Sequence, residues 1–235
     1  MSPSRPNVLF LLNDHQAYYG HGLRGGAAPA RPCFDRLASG GVVFDRAYSV
    51  SPLCTPVRRS MITGLMPHNH GFLTLYLKEN AQERDHGILY DLLAARGYDL
   101  YYFGKWHTGP GTARDYGCKG FCHPDFGNPY ITPEYAQYVK ERELPPASFD
   151  LEHVLLEPVS PDRPRPGPGY RCEAPHLHPH VTGVMETPAE THESFFLANL
   201  AVDALREIAA RPRRAPFCMS VHFDGPHAPY LAAPE

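Results

Sequence analysis

The sequence predicts an α/β fold with a mostly parallel central sheet flanked by helices. Short apolar runs at 8–12, 98–103 and 217–221 have the length of buried strands rather than helices. Helix-like patterns alternate with them, as in βαβ units. A polar cluster follows each run, at the strand ends where open parallel sheets bind ligands. The 235 residues suffice for one large α/β domain or two small ones. A hydrophobic share of 43% and a mean hydropathy of -0.37 fit a packed core and exclude global disorder.

Each element has its own signals. Residues 8–12 (VLFLL) are bounded by Pro6 and by Asn13-Asp14. Residues 32–38 read as a short helix stopped by Gly40-Gly41, and 42–44 as a strand. Residues 55–63 read as a helix with Thr55 as N-cap, Pro56 at the first helical position and Gly64 at the end. Residues 85–96 form another, with Ile88, Leu89, Leu92 and Leu93 on one face and Gly97 closing it. Residues 98–103 are an aromatic-rich strand. Thr132 and Pro133 start a helix over 133–143. The longest helix covers 190–210, where Phe196, Leu200, Ala204 and Ile208 recur every four residues and Arg206 and Arg211 suit the C-terminal dipole. Residues 217–221 form the last strand. Residues 112–190 break the alternation and hold many of the 26 prolines, notably PDRPRPGPG at 161–169. They read as an insertion over one end of the sheet, within a single unit spanning 1–235.

Bulk properties exclude several function classes. The net charge is -3 and the pI about 6.5, with no basic footprint for nucleic acid. Arg211, Arg213 and Arg214 read as a solvated helix end. No apolar run approaches membrane-spanning length. The N-terminal apolar run turns polar at Asn13, too soon for a secretory signal, so a cytoplasmic protein is expected, with neither membrane nor nucleic acid as partner. Six scattered cysteines (33, 54, 118, 122, 172 and 218) do not form a disulfide framework.

Three polar clusters should meet along one sheet edge: Asn13-Asp14-His15, Gly104-Lys105-Trp106-His107, and His222 with Asp224 and His227. Cys54 lies at a helix start, where unpaired N–H groups and the dipole lower a thiol pKa, and Arg58 follows one turn later. A buried structural cysteine is the competing reading of Cys54. Lys105 and His107, two apart, pair an ammonium with an imidazole, which suits a tetrahedral anion; a solvated strand end is the alternative. Asp14 fits a hard cation or a helix cap. His227, between Pro226 and Pro229, sits in a stiff loop suited to a proton donor, or is an ordinary surface histidine. Cys118, Cys122, His123 and Cys172 are at the edge of zinc-ligand spacing, and His176, His178 and His180 alternate. For both sets, loop chemistry without metal is the preferred reading.

These residues carry a family resemblance. PLCTPVRRSMITG resembles the first signature of the sulfatase family, C-x-P-x-R ending in T-G, through Cys54, Pro56, Arg58, Thr63 and Gly64. GYDLYYFGKWH resembles the second, through Gly97, Tyr98, Gly104, Lys105, Trp106 and His107. NVLFLLNDHQ is similar to the family's first strand and metal-binding aspartate, and PFCMSVHFDGPHAPY to its later strand and P-H-x-P loop. Val57, Leu100 and Phe103 depart from the pattern, as does His15, which stands where many members have a second aspartate.

The resemblance implies an alkaline-phosphatase-like fold and conversion of Cys54 to Cα-formylglycine by a maturation enzyme. It implies a divalent cation held by Asp14 and residue 54, most simply Ca2+, with Mg2+ or Mn2+ as alternatives. Arg58 and Lys105 would stabilise charge, His107 would take a proton from the diol, and His227 would protonate the leaving alcohol of a small-molecule or saccharide sulfate ester. The family's remaining ligands fall after the P-H-x-P loop, so the chain reads as the N-terminal part of a sulfatase catalytic domain, truncated at its C-terminus. Two alternatives stay open: a phosphonate or phosphate ester hydrolase on the same scaffold, and an inactive anion-binding fragment.

Overall fold

A computed structural model describes residues 5–17, 32–75, 87–123, 127–153, 167–173, 181–212 and 215–234. In chain order the strands are β1 (Val8–Asn13), β2 (Asp99–Lys105), β3 (Lys119–His123), β4 (Phe149–His153), β5 (Gly167–Tyr170), β6 (Val181–Met185), β7 (Phe217–Phe223) and β8 (Tyr230–Ala232). The helices are α1 (Pro32–Ser39), α2 (Cys54–Thr63), α3 (Pro67–His70), α4 (Leu89–Ala94), α5 (Pro133–Glu141) and α6 (Glu193–Ala210).

The main sheet has the order β1-β7-β2-β3, and every pairing in it is parallel. Alternation along β2 divides the core. Leu100 and Tyr102 join Ile62, Ile88 and Tyr90 on one face, while Tyr101 and Phe103 join Tyr138, Phe196 and Leu197 on the other. Thus α2 and α4 cover one face and α5 and α6 the second. A strand buried on both sides reads as a continuous apolar run, which is how residues 100–103 look in the sequence. β1 is an edge strand, with Leu9 and Leu11 exposed.

Several expectations shift. Residues 42–44 form no strand; Val42 and Phe44 are 78% and 77% exposed and have no ladder to join. Thr55 does not cap α2. That helix starts one residue earlier, with Leu53 at the cap position and Thr55 buried in the first turn. Gly64 does end it, in left-handed geometry, donating to the Ser60 carbonyl. The helix expected over 85–96 shortens to α4, where the Asp91 carboxylate accepts from the Ile88 N–H at 3.4 Å. Thr132 caps α5 as expected, accepting from Tyr135 N–H at 3.2 Å. Between residues 112 and 190, β4, β5 and β6 form a second sheet of order β5-β4-β6-β8 that the proline content conceals. Phe149, Leu151 and Met185 of this sheet share the α5–α6 core.

Register fixes the functional edge. His222 on β7 pairs with Leu12 on one side and Gly104 on the other. Gly104 is required there: its φ is +100°, and a Cβ would sit 2.0 Å from the His222 carbonyl oxygen. Gly104→Ala should therefore destabilise the fold by roughly 2 kcal/mol or more. A urea midpoint equal to wild type would refute that expectation.

Candidate active site

Four separated stretches deliver side chains to the carboxyl edge of the main sheet. Asp14 follows β1, Lys105 ends β2, Cys54 and Arg58 lie on α2, and β7 carries His222 into the loop that holds His227. Asp14 is central. Lys105 Nζ donates to its Oδ2 at 2.5 Å, and Arg58 Nη2 donates to the same oxygen at 3.2 Å. Cys54 Sγ lies 3.7 Å from the other carboxylate oxygen, Oδ1. Lys105 is fully buried and Arg58 nearly so. Arg58 Nη1 also donates to the Lys105 carbonyl at 2.9 Å and lies 3.0 Å from His222 Nδ1.

The protonation states follow from this packing. Burial alone would raise the Asp14 carboxyl, but the Lys105 and Arg58 charges outweigh it and hold it at about 2, below its usual 3.8. Burial pushes the Cys54 thiol above its ordinary value, and Asp14 adds to the push while Lys105 and Arg58 oppose it. The sequence expectation of a lowered thiol is thus overturned: burial and the adjacent carboxylate outweigh the helix start. Burial, then the charges of Lys105 and Arg58, lowers His107 to about 4, so its imidazole is neutral at neutral pH.

A pocket of about 600 Å³ opens on this edge, and Asp14, His15, Cys54, Arg58 and His227 are among the residues lining it. The His15 and His227 rings face each other with centroids 5.6 Å apart. His227 Nδ1–H donates to the Ala228 carbonyl at 2.6 Å. Lys105 and His107 are buried; Lys105 acts electrostatically on Cys54 and Asp14, and Asp14 on His107. His15 and His107 adopt left-handed backbone, φ 59° and 43°, a cost of order 1 kcal/mol each that clusters at functional sites.

All six sequence-predicted residues therefore reach one edge, and three of them, Lys105, Arg58 and Cys54, contact the fourth, Asp14. The bond between His222 and Arg58 was not legible in the sequence, although His222 belongs to the third polar cluster. Among the described residues, no group of three or more His, Cys, Asp or Glu could hold a metal ion. Cys118 and Cys172 are split between the two core clusters, and His123 Nε2 lies 3.3 Å from Asp224, so zinc ligation by that set is not supported. His176, His178 and His180 lie outside the described residues. Calcium takes six or more oxygens, and Asp14 with residue 54 supplies two donors. The described residues alone do not complete a divalent-cation site. Among them, no helix is long and apolar enough to cross a membrane.

A parallel sheet covered on both faces, with an acidic and basic cluster at its carboxyl edge, is the alkaline-phosphatase-like α/β fold of the solved sulfatases that this chain resembles. The chain belongs to the sulfatase family, whose model, described as Sulfatase, matches residues 6–235. It is 30% identical over 233 residues to the uncharacterized sulfatase YidJ of Escherichia coli (strain K12), covering 98% of this chain and 40% of that protein. Among solved structures, Ps i-CgsB in complex with k-i-k-neocarrahexaose superposes with a TM-score of 0.61 at 20% identity, covering 96% of this chain and 46% of that one. The phosphonate monoester hydrolase of Agrobacterium radiobacter gives 0.60 at 21% identity, covering 97% and 42%.

Two outcomes are expected. Asp14→Ala leaves the Lys105 and Arg58 charges buried without a counter-ion and should cost about 3–5 kcal/mol in chemical denaturation. The Asp14 contribution is present above its unfolded value and is lost as pH falls through about 2. His107 behaves oppositely to a histidine that gains a partner. Its folded value lies below the unfolded 6.5, so the unfolded chain takes the proton first and stability declines as pH drops from 6.5 to about 4. Wild type should lose stability relative to His107→Gln across that window; parallel curves would contradict the assignment.

Proposed function

We propose that this chain carries the nucleophile-bearing part of a formylglycine-dependent sulfuric ester hydrolase. The observation that carries the reading is the contact of Cys54 with Asp14, a carboxylate locked by Lys105 and Arg58 at the wall of an open pocket. As a thiol, Cys54 is a poor nucleophile there, because burial and Asp14 keep it protonated. The same position suits a hydroxyl that Asp14 can orient by accepting its hydrogen bond.

A maturation enzyme, with an oxidant that it supplies, converts Cys54 to Cα-formylglycine with loss of the thiol sulfur, and water adds to the aldehyde to give a geminal diol. One hydroxyl attacks the sulfur of a sulfate ester, its proton passing to solvent. The bond from sulfur to the leaving oxygen breaks, and His227 delivers a proton to that oxygen. Neutral His107 then takes the proton of the second hydroxyl, the carbonyl re-forms, and the bond from carbon to the sulfate oxygen breaks. Sulfate leaves and water restores the diol. Arg58 offers its remaining N–H groups to the sulfate oxygens, and Lys105 keeps positive charge beneath them. A divalent cation at Asp14 and residue 54, Ca2+ with Mg2+ or Mn2+ as alternatives, would supply Lewis acidity, given further oxygens from outside the described residues.

The substrate class follows from the site and from relatives. An open pocket with Arg58 in its wall and Lys105 behind Asp14 fits a small-molecule or saccharide sulfate ester, and one structural neighbour is in complex with k-i-k-neocarrahexaose. His15 beside Asp14 and the fold likeness to a phosphonate monoester hydrolase favour phosphonate or phosphate esters as the second reading.

Co-expression with a formylglycine-generating enzyme, followed by mass spectrometry of the peptide around residue 54, tests the nucleophile. A hydrazide-reactive aldehyde at that position is expected, and a cysteine that stays unmodified would count decisively against the mechanism. Turnover of an aryl sulfate against a phosphonate monoester by the matured protein separates the substrate classes. Cys54→Ala should abolish either.

A further inference from the structure

Arg58 contacts a residue that lies outside the first two signatures, His222. His222 is 5% exposed and sits on β7 between β1 and β2, with its backbone opposite Leu12 and Gly104. Its Nδ1 lies 3.0 Å from Arg58 Nη1 and 2.7 Å from the Tyr102 hydroxyl, which also reaches the Lys105 carbonyl at 2.6 Å. The Tyr102 and His222 rings are 4.6 Å apart, so the imidazole is held on its flank as well.

A guanidinium has only donors, so a hydrogen bond from Arg58 Nη1 to His222 requires the Nδ1 lone pair and places the ring proton on Nε2. Tyr102 has one hydrogen and two acceptors within reach, Nδ1 and the Lys105 carbonyl. Arg58 thereby commits both Nη1 hydrogens, one to the Lys105 carbonyl and one to His222, and one Nη2 hydrogen to Asp14. Of its five N–H groups, two remain for an anion.

We propose that His222, in its neutral Nε2–H tautomer and backed by Tyr102, is a positioning residue that orients Arg58 toward a sulfate group without neutralising its charge. The inference rests on the sulfatase reading of the site. A carboxylate at position 222 would hold Arg58 as firmly, but it would cancel the positive charge that the pocket needs. A cationic side chain would repel Arg58 and Lys105. A buried, uncharged acceptor satisfies both demands, and the pressure of Arg58 and burial keeps the imidazole uncharged.

The test measures inorganic sulfate binding to the full 235-residue chain by calorimetry, for wild type and for Arg58→Ala, His222→Phe and His222→Asn. Phe preserves ring volume and removes the acceptor, and Asn places an amide oxygen near the position of Nδ1. His222→Phe should bind sulfate ~10-fold more weakly or worse, the loss expected from one buried hydrogen bond to a charged group, and His222→Asn should recover most of it. Nitrogen NMR of wild type should show Nε2 protonated and Nδ1 bare. Wild-type affinity in a folded His222→Phe protein overturns the inference, and so does a ring protonated on Nδ1. If His222→Phe does not fold, the tautomer measurement decides. If wild type binds no sulfate, or Arg58→Ala binds it equally well, the sulfate reading of the site itself fails and the inference falls with it.

Discussion

The site depends on one buried carboxylate. Asp14 accepts from Lys105 and from Arg58 through a single oxygen, and in doing so it ties β1 to β2 and to α2. Burying three charges costs several kcal/mol per ion, and only close pairing offsets that cost. The cluster is also unbalanced by design of its charges: two cations and one anion leave a net charge of +1. That excess charge, set in a low-dielectric wall beside an open pocket, is the attraction an anionic group meets on entering. It is stronger here than the same charge would be on the surface, where water and salt screen it.

The two cations also set the state of their neighbours. His107 and His222 are both pushed toward the neutral form, each by burial first and then by positive charge. Neither imidazole adds to the positive field, and each is left with a lone pair. For His222 that lone pair faces Arg58 and becomes an orienting contact. His107 is likewise unprotonated at neutral pH.

Much of this was legible in the sequence because strand ends and polar clusters coincide. The parallel sheet, its four principal helices and the meeting of Asp14, Lys105, His107 and His227 at one edge follow from apolar run lengths and the clusters behind them, whereas Cys54 and Arg58 joined that set through the resemblance of PLCTPVRRSMITG to the family signature. What stayed hidden depends on register or on long-range pairing. The sequence reading placed His222 just past the end of its strand; β7 in fact runs through it to Phe223, and the pairing of β7 with both β1 and β2 puts its ring against Arg58. The second sheet was concealed because Gly and Pro in β5 erase the alternation that marks a strand, and because β8 joins it from the far end of the chain. Residues 42–44 failed in the opposite sense: their composition favours a strand, but nothing pairs with them.

Cys54 shows why local physics and site physics must be kept apart. At the start of a helix, a thiol is ordinarily acidified by the dipole and by nearby N–H groups. In this fold the position is also partly buried and faces the carboxylate that anchors the cluster, and those two effects win. A thiolate at this point would be repelled by Asp14, so a cysteine acting as such has no advantage over an inert side chain. A neutral hydroxyl has no such conflict: it donates to Asp14 and keeps an oxygen directed at the pocket. Burial and Asp14 thus count against a reactive thiolate at this position, and the formylglycine proposed for residue 54 would remove that conflict with no change in the fold.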